Sequence, residues 1–147
     1  MSDELIIDVE PLGSTTLKSE MKEKGAEPDE SWYVQNAPLI AGSEDLDLRR
    51  DPPPDIVLES DHTSSSLDKF AIYAGLGVPE IWRVSKKRLR IYLLAGGQYN
   101  ESDVSRAFPF LTAGIINTFL EQGIRQGASV AARAFRDWVR VHQQRTP

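Results

Sequence analysis

Cysteine is absent from this 147-residue chain, which excludes disulfides and thiolate metal sites and only weakly favours a reducing compartment. Histidine is nearly as scarce: His62 and His142 are the only two, a poor supply for a zinc site. No apolar run approaches the ~20 residues that span a bilayer, and Met1-Ser2-Asp3-Glu4 is too acidic to begin a secretory signal. A cytoplasmic protein with no membrane partner is expected. Positive charge is also in deficit. The formal net charge of -5 argues against broad, non-specific DNA binding, because affinity for phosphate backbones comes mainly from Lys and Arg. Any nucleic-acid contact must be local, and the only dense positive patch is residues 83–90, where five of eight residues are basic. Its bland reading is a solvated β-turn.

Apolar material is sufficient for a core. A hydrophobic content of 40% beside 27% charged residues fits one soluble domain over residues 1–147. Its core should lie over about 13–100 and a helical cover over about 112–143, with no internal repeat. Residues 5–7 and 14–17 read as strands broken by Gly13, and residues 21–25 as a polar turn. Residues 31–34, with Trp32, Tyr33 and Val34, favour a strand pairing back on the one before. Residues 36–54 read as a surface loop too long for an idle turn, so either functional or poorly ordered, stiffened at its exit by Pro52-Pro53-Pro54. Ile56-Val57-Leu58 shows no polar alternation, as expected of a strand covered on both faces near the sheet centre.

Ser64-Ser65-Ser66 offers N-cap hydroxyls for a largely buried helix over about 67–76 that stops at Gly77, with Pro79 just beyond. Residues 81–84 and 89–94 predict a hairpin around the basic turn, ended by Gly96-Gly97. Residues 115–121 and 130–142 read as helices, the last with Ala131, Ala134, Phe135 and Trp138 inward, a structural cover. The fold class is α/β in the broad sense, α+β with a mixed sheet.

Three ionisable residues stand out. Asp55 and Glu59 lie four positions apart on one strand, on the same side but roughly 13 Å apart, so they cannot share an ion. Magnesium takes one or two carboxylates and fills its shell with water and phosphate oxygens. Glu59 therefore needs a partner from another strand. Asp29 serves if its strand lies beside residues 56–58, with Asp61 the local fallback. A lone acid of this kind is more often simply exposed at a strand end. Lys69 falls in the first turn of a helix, where the macrodipole disfavours a cation. Glu59 lies across the connection and can compensate it; the plainer alternative is a snorkelling lysine.

These residues sit in three runs: Glu27-Pro28-Asp29-Glu30-Ser31-Trp32-Tyr33-Val34, Pro54-Asp55-Ile56-Val57-Leu58-Glu59, and Asp68-Lys69-Phe70-Ala71-Ile72-Tyr73 continuing through Gly77-Val78-Pro79-Glu80-Ile81-Trp82. From about Gly13 to about Tyr99 the chain resembles the restriction-endonuclease-like family called Uma-type, within the PD-(D/E)XK nuclease superfamily. The Lys-x-x-x-Tyr-x-x-x-Gly-Val-Pro-Glu-x-Trp run is the most specific piece.

The resemblance implies a restriction-endonuclease-like core, a central mixed sheet flanked by helices, with Asp29 as first acid, Glu59 as second and both as ligands of Mg2+ or Mn2+. Lys69 would replace the lysine that the superfamily usually sets two residues after the Glu, where Asp61 stands here. The implied activity is metal-dependent endonucleolytic hydrolysis of DNA phosphodiesters, with Asp29, Glu59 and Lys69 catalytic and a homodimer as a common assembly. Family members usually carry an extra helix and strand ahead of the Gly13-Ser14-Thr15-Thr16 segment, the helix often bearing a further acid. This chain begins almost at that point, which fits either a misassigned start or an N-terminally shortened member, and keeps open a non-catalytic nuclease-fold module that binds DNA or a protein. A two-carboxylate glycosidase has less support, since lysine has no standard role in that mechanism.

Overall fold

The structure, a computed structural model, describes residues 7–8, 21–25, 27–40, 48, 50–61 and 69–145. Among them a single sheet follows chain order: β1 (Ile7–Asp8), β2 (Glu30–Tyr33), β3 (Ile56–Ser60), β4 (Glu80–Ser85), β5 (Arg88–Ala95) and β6 (Gln98–Ser102). The helices are α1 (Ala37–Ile40), α2 (Phe70–Leu76), α3 (Ala113–Gln126) and α4 (Ala128–Arg145). β3 and β4 pair in parallel and every other neighbouring pair is antiparallel. Parallel strands need a crossover rather than a tight turn, and α2 lies in that crossover. The result is a mixed sheet flanked by helices, the restriction-endonuclease-like α+β class expected. Strands predicted over 14–17 and the N-cap serines 64–66 fall outside the described residues.

Side-chain alternation divides the sheet into two cores. Tyr33, Val57 and Ile81 face α2 and pack with Met21, Tyr73 and Val78. Ile56, Trp82, Leu89 and Ile91 face the α3–α4 pair and pack with Phe108, Leu111 and Ile116. β3 is thus apolar on both faces, as its unbroken hydrophobic run implied, until Glu59 interrupts it. Full burial of side chains such as Val57, Ile81 and Ile91 contributes roughly 1.5–3 kcal/mol each relative to exposure.

The sequence reading of α2 holds at its end and fails on its burial. Gly77 adopts φ 79° and its amide bonds back to Ala74, a left-handed helix stop. Of α2's residues only Tyr73 is fully buried, while Ala71 and Gly75 are exposed. A seven-residue helix lays one face on a sheet, so its opposite side, with Ala71 and Gly75, stays open. Residues 21–23 are helical rather than a polar turn: Met21 is buried and the three charged residues after it stay outside.

β6 was not anticipated. The glycines at 96 and 97, with φ 60° and 78°, make a two-residue hairpin loop into a polar edge strand of which only Tyr99 and Ser102 are partly covered. α3 runs beyond its expected end at 121 and is separated from α4 by Gly127 alone. Its start is capped by Thr112, whose hydroxyl accepts the Ile115 amide at 3.2 Å. Of the inward set read for α4, Ala131 is buried and Ala134, Phe135 and Trp138 are half-buried, while Val139, outside that set, is buried too; Arg133, Arg136, Asp137 and Arg140 are exposed as expected. His142 stacks on Trp138 at 3.8 Å. From α3, the buried Asn117 side chain accepts the Leu89 amide at 2.7 Å and donates to the Leu89 carbonyl at 3.0 Å, joining the helix to β5.

Candidate active site

The antiparallel register of β2 and β3 sets Glu30 opposite Leu58. Continued by one residue, it sets Asp29 across from Glu59. Two backbone-linked contacts fix Asp29 there: its amide donates to the Leu58 carbonyl at 2.9 Å, and its Oδ2 accepts the Ser60 amide at 2.7 Å. Asp29 stays exposed, whereas Glu59 is only 2% exposed. One carboxylate therefore faces solvent and the other projects under α2.

α2 supplies both partners of Glu59. Lys69, at the N-cap, brings its Nζ to 3.6 Å from Glu59 Oε1. One turn on, the Tyr73 hydroxyl donates to Glu59 Oε2. Residues four apart on a helix share a face, so a single helix face addresses both oxygens. The cation at an unfavourable helix start is thus compensated by the buried carboxylate, as the sequence suggested.

Burial, the largest influence, lifts the Glu59 carboxyl above its ordinary pKa. The Tyr73 hydrogen bond and then the Lys69 charge pull it back, and the charge of Asp29 adds to the rise. Tyr73 is itself held protonated, first by burial and then by its bond to Glu59. The two carboxylates thus feel one another.

That repulsion is what a cation between them would relieve. Two hard oxygen donors from adjacent strands suit Mg2+ or Mn2+, which need only one or two carboxylates. Among the described residues no three or more His, Cys, Asp or Glu side chains converge, so a zinc-type ligand set is not present among them.

The other acids serve different ends. Asp55 is buried and holds the turn after β2, accepting the amides of Val34 at 2.7 Å and Asn36 at 3.0 Å. Asp61, the fallback ligand, is engaged by Arg83 through Nη2 at 2.6 Å and Nε at 3.1 Å. Tyr73 is the site residue that sequence reasoning missed as such. The sequence reading gives it no role beyond its place in a largely buried helix, although the Lys-x-x-x-Tyr spacing puts it on the face of Lys69.

A mixed sheet with paired carboxylates beside its parallel strands, and a lysine reaching in from the crossover helix, defines a restriction-endonuclease-like core. The chain belongs to the Uma2 family, described as putative restriction endonucleases, which it matches over residues 8–123. No curated protein and no solved structure matches it. No helix among the described residues is long and apolar enough to cross a membrane.

Proposed function

We propose that this protein is a divalent-metal-dependent endonuclease that hydrolyses DNA phosphodiester bonds, built as one domain, with Asp29, Glu59 and Lys69 as its catalytic residues. The observation that carries this reading is the convergence on buried Glu59 of a lysine at 3.6 Å and of Asp29 from the neighbouring strand. Asp29 and Glu59 would hold Mg2+ or Mn2+. Bound there, the cation supplies Lewis acidity to the phosphate and lowers the pKa of the attacking water.

The chain's own groups do the rest. Lys69, a third exposed and salt-bridged to Glu59, is placed to face a phosphate at the carboxylates and to offset the negative charge that builds as water adds to phosphorus. Tyr73 holds the Glu59 rotamer by its hydrogen bond, so that Oε1 stays turned toward Lys69. The Ser60 amide does the same for Asp29. Water gives up a proton to solvent as its oxygen attacks phosphorus and the bond to the leaving oxygen breaks, and that oxygen takes a proton from solvent.

Manganese titration by calorimetry on wild type, Asp29→Asn and Glu59→Gln tests the metal site, alongside nicking of supercoiled DNA with Mg2+ or Mn2+. Wild type should bind and nick, and both variants should lose both properties. Nicking that persists in Glu59→Gln, or in chelator, would sink the reading.

A further inference from the structure

The β4–β5 hairpin breaks two local rules at once. Its two-residue turn is Lys86-Lys87, and both lysines adopt positive φ, 54° and 64°. Mirror-image hairpin turns require that conformation and strongly favour Asn-Gly for it; a lysine Cβ crowds the backbone there. Behind the turn the register sets Arg83 directly opposite Arg90, a like-charge pairing that disfavours strand association. Arg83 is compensated by Asp61 and Arg90 by a looser contact to Glu101 at 3.7 Å. Lys86, Lys87 and Arg88 are exposed and, among the described residues, form no ion pair. Strain retained in a segment points to a use for it, and here both departures concentrate positive charge.

The placement of that charge connects it to the carboxylates. Glu59 pairs in register with Arg83, and Arg83 with Arg90. Alternation puts Arg88 on the face of Arg90, so these arginines share the sheet face that carries Glu59. α2 covers only the half of this face around Val57, Ile81 and Tyr92. At about 4.8 Å between strands and about 3.3 Å per residue, the arginines lie within roughly 10 Å of Glu59 and the turn roughly 10 Å farther along. A duplex carries one phosphate per about 3.4 Å of each strand, so this stretch spans several phosphates. An acidic protein with carboxylates at its reactive centre repels DNA unless a local cationic surface offsets them.

We propose that the β4–β5 hairpin, through Lys86, Lys87, Arg88 and Arg90, is the surface that grips the DNA phosphate backbone and lays the duplex across Asp29 and Glu59. This rests on the nuclease reading and extends it to a surface.

The turn chemistry provides a clean test. The double substitution Lys86→Asn with Lys87→Gly installs the preferred turn while removing two charges, so its thermal midpoint should equal or exceed that of wild type. Binding of a fluorescein-labelled short DNA duplex is followed by anisotropy in chelator, across about 50–200 mM salt. The variant should bind more weakly by roughly tenfold or more, and its slope of log affinity against log salt should shrink by about 1.8. Arg88→Glu should weaken binding further.

Wild-type affinity and slope in the double variant would overturn the proposal, as would failure of wild type to bind the duplex at low salt. If the variant binds as wild type while wild type still nicks DNA, only the hairpin surface fails. If binding depends on the hairpin but no metal supports nicking, the surface stands and the nuclease reading falls.

Discussion

Two glutamates on neighbouring parallel strands, Glu59 on β3 and Glu80 on β4, are equally hidden from solvent, at 2% and 1% exposed. They are surrounded in opposite ways. Glu80 points to the α3–α4 side and accepts four neutral donors: Trp82 Nε1 and Ser105 Oγ at 2.6 Å on Oε2, and the amides of Arg106 and Ala107 at 3.0 and 2.9 Å on Oε1. Each of its oxygens is fully employed in pinning the 105–107 segment to the sheet. Glu59 has one hydroxyl, one lysine at longer range and a second carboxylate nearby. Burial alone does not single out a candidate for chemistry; incomplete neutral hydrogen bonding plus charge on both sides sets Glu59 apart from Glu80.

The largest expected effect breaks the pair apart on stability. Glu80→Ala strands four donors in or beside the core, and each buried donor left without an acceptor costs ~1–3 kcal/mol. A loss on the order of 4 kcal/mol should appear in urea unfolding. Glu59→Gln in the metal-free protein should lose nothing at neutral pH. Equal losses at the two positions would erase the distinction drawn between them.

Tyr73→Phe sharpens it next, by freeing Glu59 Oε2 without touching the carboxylate. Partners that orient metal ligands are typically worth 10- to 100-fold in affinity, so manganese binding should weaken by roughly tenfold, with Trp fluorescence unchanged. Affinity at the wild-type level would reduce Tyr73 to packing.

The smallest effect is a pH dependence. The folded-state pKa of Glu59 is raised above its reference of 4.5. The stability linked to it is fully present below that reference and is lost as pH rises through the higher folded value. In chelator, wild type should therefore fall behind Glu59→Gln in urea midpoint as pH climbs from about 4 toward neutrality, and the two curves should converge in acid. A difference that stays constant with pH would show that Glu59 titrates as it does in the unfolded chain.

Much of the layout of the candidate site is legible in the sequence because its logic is local. The strand holding Glu59, the helix holding Lys69 and the strand headed by Asp29 each carry a strong one-dimensional signal. Only the β2–β3 adjacency had to be assumed, and the register supplies it. The role of Tyr73 was not legible, since a tyrosine in a largely buried helix looks the same whether its hydroxyl is satisfied by backbone or by a buried carboxylate. The Glu80 clasp was not legible: its partners at 105–107 lie 25 or more residues downstream, in a segment with no periodicity. β6 escaped because an edge strand needs little apolar alternation, and Gln98-Tyr99-Asn100-Glu101-Ser102 has almost none. The Glu-x-Trp spacing belonged to the family motif, and the Trp82–Glu80 bond gives it a physical reason.

The Asn117 contact has a further effect on how this molecule treats its own copies. β6 pairs with β5 only from Ile91 to Ala95, so the backbone of Leu89 extends past the end of its neighbour. An amide and carbonyl left open there would be a docking template for a strand from another molecule. The carboxamide of Asn117 offers the same donor and acceptor that a seventh strand would, at 2.7 and 3.0 Å. One helix side chain thereby occupies the place where a foreign chain could begin to zip, and that end of β5 is closed to aggregation.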